Sequence, residues 1–292
     1  MTTGTYLLVV LSAAGHAYWN FLLKRSGGSQ EVVGLSKVLE AIGLGLLLLT
    51  GVTAGPVQVA HHWTWPAVGA LLVLANYALL AAAYQLGDLS LVYPVSRGAM
   101  LVFLPPLAYL TIGERLDAVG QLSILAIVAG IALLQLRSYA AASWRAYGRS
   151  VTSPATLYAL FAAVSAACYT VWDKQAVQVL PPLAYFAGYT VVLGVVYVAI
   201  LERRVPRPRL ADAWRAHRSA IVQIAIFNSA SYLLALAALQ VGKASYVIAL
   251  RQLSIAGGAL LGRWLLGEAM PGPRLTGIAL VVAGCILLGL AR

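Results

Sequence analysis

The sequence predicts an all-α integral membrane protein of ten transmembrane helices, arranged as two inverted repeats of five helices. Three observations lead to this prediction: an apolar composition, ten apolar segments of membrane-spanning length, and an internal repeat. Of the 292 residues, 61% are hydrophobic and 10% are charged, whereas a soluble domain carries about 25% charged residues. The mean hydropathy of +0.84 agrees with a chain that is largely surrounded by lipid.

Each apolar segment is long enough to cross a bilayer as a helix, which takes about 20 residues and satisfies the backbone hydrogen bonds internally. The segments lie at 5–23, 32–54, 65–86, 89–112, 117–136, 155–173, 181–201, 219–241, 244–266 and 274–291. Pro154 and Pro181–Pro182 open the sixth and seventh segments, where a missing amide donor is tolerated. Cys168 and Cys285 both lie within apolar segments, which predicts buried thiols rather than a disulfide.

The two halves of the chain resemble each other. Residues 77–92 and 232–247 are identical at eight of sixteen positions, at an offset of 155. Gly113–Glu114 returns as Gly267–Glu268 at an offset of 154. An odd number of helices per repeat reverses the direction in which the second repeat enters the membrane. We therefore predict a first repeat over 1–138, a basic linker over 139–153 and a second repeat over 154–292.

The net charge of +11 predicts membrane topology rather than a nucleic-acid partner, because most Lys and Arg residues lie between the apolar segments. Loops after odd-numbered segments hold twelve Lys and Arg residues. Loops after even-numbered segments, counted together with the two chain termini, hold four. The positive-inside rule then places both termini outside the cytoplasm.

Polar residues at membrane depth are costly and usually face a cavity or a partner, so they are the candidate substrate-binding residues. The first and sixth segments carry matching polar stripes at helical spacing, and the third, fourth and eighth add polar and aromatic groups. The candidates are His16, Trp19, Asn20, Asn76, Tyr77, Tyr93, Arg97, Tyr169, Trp172, Asp173, Asn228, Tyr232 and Gln252. Hydrogen bonding between helices is the competing interpretation of these groups.

Pro94 and Pro105–Pro106 predict a broken or kinked fourth helix, a feature that often marks transporter sites. The ninth segment has Ser245 and Gln252 at the places equivalent to Ser90 and Arg97, and it has no proline before position 271. Arg97 or Arg251 is suited to bind a carboxylate or another anion, and equally suited to a structural ion pair.

Glu40 and His16 are the candidates for proton coupling, because a histidine changes its charge near neutral pH and Glu40 lies well inside the second segment. A simple pair between Lys37 and Glu40, one helical turn apart, is the alternative. Glu114 and Glu268 are predicted to cap helices or to form ion pairs at the membrane surface.

The sequence predicts no catalytic residue, metal site or cofactor. It contains no H-E-x-x-H motif, no P-loop and no glycine-rich dinucleotide motif. An enzyme is therefore disfavoured, and so is direct drive by ATP.

The paired five-segment halves, His16-x-x-Trp19-Asn20, Trp172-Asp173-Lys174 and the repeated Gly-Glu resemble the drug/metabolite transporter superfamily, specifically its ten-span EamA-type members. The resemblance implies a secondary transporter whose central cavity is lined by segments 1, 3, 4, 6, 8 and 9. Segments 5 and 10 would then be peripheral and form scaffold or the face of a homodimer. Members of known arrangement usually keep both termini in the cytoplasm, opposite to the charge distribution of this chain.

We therefore expect a secondary active transporter in the plasma (inner) membrane of a bacterium. Its partners would be the lipid bilayer and a small polar metabolite of the amino acid, amine or amino-phosphonate type. Trp19, Asn20, Trp172 and Asp173 are expected to approach one another, with Asp173 binding an amine and Arg97 a carboxylate. A lipid flippase component or an exporter of hydrophobic cations is the alternative.

Overall fold

A computed structural model describes residues 1–291 except 28, 52–54, 87–88 and 152, and the side chains of a few further residues, Tyr93 and Pro94 among them, lie outside the description. Every regular element in the described part is a helix. The helices are α1 (Thr3–Arg25), α2 (Gln30–Leu49), α3 (Gly55–His61), α4 (Thr64–Leu86), α5 (Leu89–Ile112), α6 (Ala118–Leu133), α7 (Ala141–Val151), α8 (Pro154–Val179), α9 (Pro182–Arg204), α10 (Arg207–Val241), α11 (Ala244–Arg251), α12 (Leu253–Leu266) and α13 (Gly272–Leu288).

The apolar helices follow the segments predicted from the sequence. In the described part, eight segments are long and apolar enough to cross a membrane, with α11 and α12 together counting as one, and α6 and α13 are shorter apolar helices. The prediction of an all-helical membrane protein is therefore confirmed.

Several helix ends agree with local sequence signals. Proline occupies the first turns of α8 and α9, as predicted. Gly113 and Gly267 both adopt the left-handed conformation with φ of +68°, which stops α5 and α12. The following residues then repeat one hydrogen bond: the amides of Glu114 and Glu268 each donate to the carbonyl six residues earlier, at 3.2 Å.

The prediction of a break or kink in the fourth segment is not confirmed, because the structure places the helix break in the ninth segment. The helix α5 continues through Pro94 and Pro105–Pro106, and the break falls in the ninth segment, between α11 and α12 at Gln252. The amide of Gln252 bonds Ala249, and its side-chain Nε2 donates to the carbonyl of Ile248 at 2.9 Å. The glutamine side chain thus satisfies the acceptor that the break would otherwise leave open in an apolar environment.

Helices α1 and α8, which open the two halves of the chain, each pack against several neighbours. Helix α1 packs mainly on α10, α11 and α12, and α8 packs mainly on α4, α5 and α10. Helices α6 and α13 pack tightly on each other. They can approach closely because Gly130 and Gly277 face each other, and an added Cβ on either would lie 2.7 Å from the carbonyl oxygen of the other.

Candidate functional site

A small, half-buried polar cavity lies where α1, α5 and α8 meet the break between α11 and α12. Its volume is only 20 Å³, which is room for about one water molecule. The polar and aromatic residues that line it are His16, Arg97, Tyr169, Arg251, Gln252 and Ser254. The break therefore occurs at the cavity, as in transporters that place irregular backbone only where it lines a binding site.

His16 connects α1 to α11. Its Nδ1 lies 3.3 Å from Trp19 Nε1 and 3.3 Å from a terminal nitrogen of Arg251. Because both neighbours are donors, Nδ1 acts as the acceptor, which assigns the ring proton to Nε2. Arg251 also donates to the hydroxyl of Ser231 at 3.4 Å, so its guanidinium joins α1, α10 and α11.

Asp173 joins this network through an aromatic ring. The guanidinium of Arg251 lies 5.5 Å from the ring centre of Tyr232, within cation–π range. The hydroxyl of Tyr232 donates to Asp173 Oδ2 at 2.5 Å, and that of Tyr185 donates to Oδ1 at 2.6 Å. Asp173 is buried, and its two oxygens are therefore held by phenol groups from α9 and α10. The carboxylate neither faces lipid nor pairs with Lys174.

Glu40 lies in a separate polar cluster. Its carboxylate pairs with Lys37 Nζ at 3.0 Å and accepts hydrogen bonds from Asn228 Nδ2 at 3.0 and 3.1 Å. The pair between Lys37 and Glu40 agrees with the structural alternative. Asn228 belongs to this cluster rather than to the lining of the cavity.

Several other candidates bond backbone groups. Trp172 donates to the carbonyl of Trp65 at 2.9 Å and packs on that indole. Asn20 donates to the carbonyl of His16 at 2.7 Å, and Asn76 to that of Ala162 at 2.6 Å. Tyr77 packs against the main core, and the side chain of Tyr93 lies outside the described part. The expected group of Trp19, Asn20, Trp172 and Asp173 is therefore not formed through direct side-chain contacts. Helix α1 is connected to Asp173 through Arg251 and Tyr232, and Trp172 contacts Trp65 instead.

Tyr185 is a part of the site that was not predicted, whereas Gln252 was predicted, and Arg251 was predicted as an alternative to Arg97 for binding an anion. An offset of 155 aligns Arg97 with Gln252, whereas the offset of 154 that relates Gly113–Glu114 to Gly267–Glu268 aligns Arg97 with Arg251. That second offset therefore favours Arg251 as the counterpart of Arg97 in the second half. Tyr185 gave no signal, because it lies in an apolar helix without a polar neighbour.

One end of the helix assembly is held by a set of contacts that we call the latch: Glu114, Asp117, Lys174 and Tyr246. The carboxylate of Glu114 accepts the amides of Ala244 and Ser245 at 2.6 and 3.0 Å, at the start of α11. Lys174 donates to the carbonyls of Leu239 and Gly242 at 2.6 and 2.9 Å, at the end of α10. Tyr246 donates to Asp117 at 3.1 Å. An open cleft of 590 Å³ lies beside the latch.

At the other end, Glu268 forms an exposed ion pair with Lys24. The expectation that both Gly-Glu glutamates cap a helix or form a surface pair thus agrees with the structure. The two glutamates nevertheless differ, because Glu114 binds a helix N-terminus and Glu268 binds a lysine.

Comparison with known proteins shows which family the second half of the chain resembles. Residues 153–290 match the model of the EamA-like transporter family. The match covers just under half of the chain, 138 of its 292 residues. A solved structure described only as "Crystal structure of protein" aligns with 99% of this chain and 98% of its own, with a TM-score of 0.77 and 16% identity. That likeness concerns the fold alone. A search of curated proteins found no match.

The family match confirms the resemblance predicted from the sequence. The chain is a multi-pass membrane protein, and the family whose model its second half matches is one of transporters.

Proposed function

We propose that this EamA-like chain is a secondary active transporter, and not an enzyme, of a small polar metabolite in a bacterial plasma membrane. The substrate is of the amino acid, amine or amino-phosphonate type, and transport proceeds by alternating access. The observation that carries the proposal is the half-buried polar cavity at the break between α11 and α12, lined from both halves of the chain. Polar groups at this depth are costly unless a function requires them.

The proposal includes ten spans in two inverted halves, 1–138 and 154–292, joined by the linker 139–153 that contains α7. The packing supports a two-fold relation, because each main contact has a counterpart at the equivalent helices. The pair α1–α10 corresponds to α8–α4, and α5–α8 corresponds to α12–α1. Helices α2 and α9, and α6 and α13, are equivalent to each other and pack together across the proposed axis.

The unequal ends of the molecule support alternating access. Under the proposed symmetry Glu114 and Glu268 are equivalent and each bonds the opposite half, yet Glu114 accepts buried backbone amides at the start of α11, whereas Glu268 forms an ion pair with the exposed Lys24. Two repeats with similar sequences thus differ in conformation, as expected when one end of the pathway is closed more tightly than the other. Opening the latch end requires the contact between Glu114 and α11 to break.

We expect Glu114→Gln to increase opening at the latch end about fivefold, because a carboxylate at a helix N-terminus contributes about 1 kcal/mol. Opening can be measured by thiol labelling of Ser245→Cys in a Cys168→Ala/Cys285→Ala background. Ser245 is buried beside the latch, so labelling requires that the latch open.

Glu268→Gln is the matched control, since it removes the equivalent charge at the opposite end. It should leave the labelling at position 245 unchanged. Equal labelling rates in the parent and Glu114→Gln, or the same increase in both glutamine variants, would contradict the latch.

Within the proposed site, Arg97 binds the acid group of the substrate and Asp173 acts on its amine, with Tyr232 between Asp173 and Arg251. His16 remains the candidate for proton coupling, because it contacts Arg251 directly. Glu40 remains a weaker candidate, because Lys37 and Asn228 already hold its carboxylate.

The test is a thermal-unfolding screen of the detergent-purified protein with amino acids, amines, amino-phosphonates and nucleotide sugars. A ligand that binds only the folded state stabilises it by about 2.7 kcal/mol at one hundred times its Kd. We expect a selective increase in the apparent Tm with one class of small polar solutes. Stabilisation by lipids or hydrophobic cations alone would instead favour a flippase component or a drug exporter.

A further inference from the structure

Arg97 and Arg251 form a pair across the proposed two-fold relation. Arg97 lies on α5 in the first half, and Arg251 is the last residue of α11 in the second half. They are related by the offset of 154 that also relates Glu114 to Glu268. Both line the same small cavity, so each half supplies one guanidinium to it.

The charged lining of this cavity is basic. Among the described residues that line it there are two arginines and His16, and there is no Asp or Glu. Of the two buried carboxylates nearest in the polar network, Asp173 accepts from Tyr185 and Tyr232, and the ring of Tyr232 lies between it and Arg251, whereas Glu40 pairs with Lys37. The side chains that line the cavity are therefore basic or neutral.

Two guanidinium groups in a low-dielectric space repel each other, and an anion placed between them turns that repulsion into attraction. A planar guanidinium also binds carboxylate, phosphate and similar groups through two parallel hydrogen bonds. An anion at this position would bond both halves of the molecule simultaneously. The cavity would have to widen first, since 20 Å³ does not hold a metabolite.

We infer that the transported substrate carries a negatively charged acid group, and that this group binds between Arg97 and Arg251. This inference rests on the proposed transport function and narrows it: simple amines are excluded as substrates, and an acid with two charges is favoured over an acid with one. The substrate's acid group is then the bridge between the halves, and its amine, where present, points toward the Asp173 side.

The experiment compares ligands that differ only in the acid group. Ethanolamine, β-alanine, taurine and 2-aminoethylphosphonate share a two-carbon chain, and the last carries most negative charge at pH 8. In addition, each amino acid that stabilises the protein is compared with its decarboxylated amine. We expect the amines to give no thermal shift, and the phosphonate to give the largest shift within the two-carbon series.

Arg97→Gln and Arg251→Gln should each weaken binding of the acid ligand at least about tenfold, since hydrogen bonds to charged groups are the strong ones. The lysine variants should bind with intermediate affinity, because lysine keeps the charge and loses the paired donors. Arg145→Gln, which alters an exposed arginine of α7, is the control and should bind normally. The apparent Tm without ligand reports any effect on folding.

The outcomes separate this inference from the function on which it rests. If an amine without an acid group stabilises the protein as well as its acid analogue, or if both glutamine variants bind normally, the anion site is wrong and the transporter proposal stands. If no polar solute stabilises the protein at any pH, the proposed function fails together with the inference.

Discussion

Gly130→Ala is expected to lower the stability of the protein by roughly 1–3 kcal/mol, the usual cost of overpacking. The new methyl group would lie 2.7 Å from the carbonyl oxygen of Gly277 and 2.9 Å from the amide nitrogen of Val281. Both are backbone atoms, so neither can move aside as a side-chain rotamer would, and α6 and α13 must separate. The apparent Tm in detergent measures the effect.

Gly43→Ala is the matched control, because its new Cβ meets no atom within 4 Å. It should leave the apparent Tm unchanged or raise it slightly, since alanine favours helix formation over glycine. Gly277→Ala meets the same contact from the other side, at 2.7 Å from the oxygen of Gly130. The double variant should therefore cost less than the sum of the single ones. Equal stability of Gly130→Ala and Gly43→Ala would refute the close α6–α13 contact.

Asp173→Ala is expected to have the second large effect, on both stability and ligand binding. Tyr185 and Tyr232 would each lose the acceptor of a buried hydroxyl, at a cost of roughly 1–3 kcal/mol for each unsatisfied group. Asp173→Asn keeps one acceptor oxygen, so its apparent Tm should fall between those of the alanine variant and the parent. Both variants should lose the ligand-induced thermal shift for substrates that carry an amine.

Asp212→Asn is the control for this prediction. Asp212 is exposed and lies 3.5 Å from Arg215, and exposed ion pairs contribute little. The Asp212→Asn variant should therefore have the apparent Tm and the ligand-induced thermal shift of the parent. If Asp173→Ala unfolds at the parent's temperature and keeps the full ligand-induced shift, the carboxylate is neither a structural centre nor part of the site.

The sequence was informative about the helices because membrane-spanning segments have a plain physical signature. A run of apolar residues must form a helix in lipid, so all ten segments have helices in the structure. The residues at which helices begin and end were harder to predict from the sequence. The helix α10 begins at Arg207 rather than at 219, because a helix does not have to stop where the apolar residues stop.

The candidate site was predicted only in part, for a related reason. Depth in the membrane identified His16, Arg97, Asp173 and Tyr232, and the structure places all of them in or beside one network. Depth in the membrane gave no information on which of these polar groups contact one another. Tyr185 became a partner of Asp173 only through the packing of α9, and no sequence pattern indicated the helix break at Gln252, where the glutamine side chain bonds the carbonyl of Ile248.

The length of α10 has a mechanical consequence. Its 35 residues extend about 52 Å at 1.5 Å per residue, well beyond the ~30 Å hydrocarbon core of a bilayer. The excess is at its N-terminal end, which carries Arg207, Arg209, Arg215 and Arg218. The same helix holds Ser231 and Tyr232 against Arg251. A small tilt of α10 as one body at the cavity would therefore displace its basic N-terminal end by a larger distance. A fluorophore or a binding protein placed at that tip would report the state of the substrate chamber from the aqueous phase.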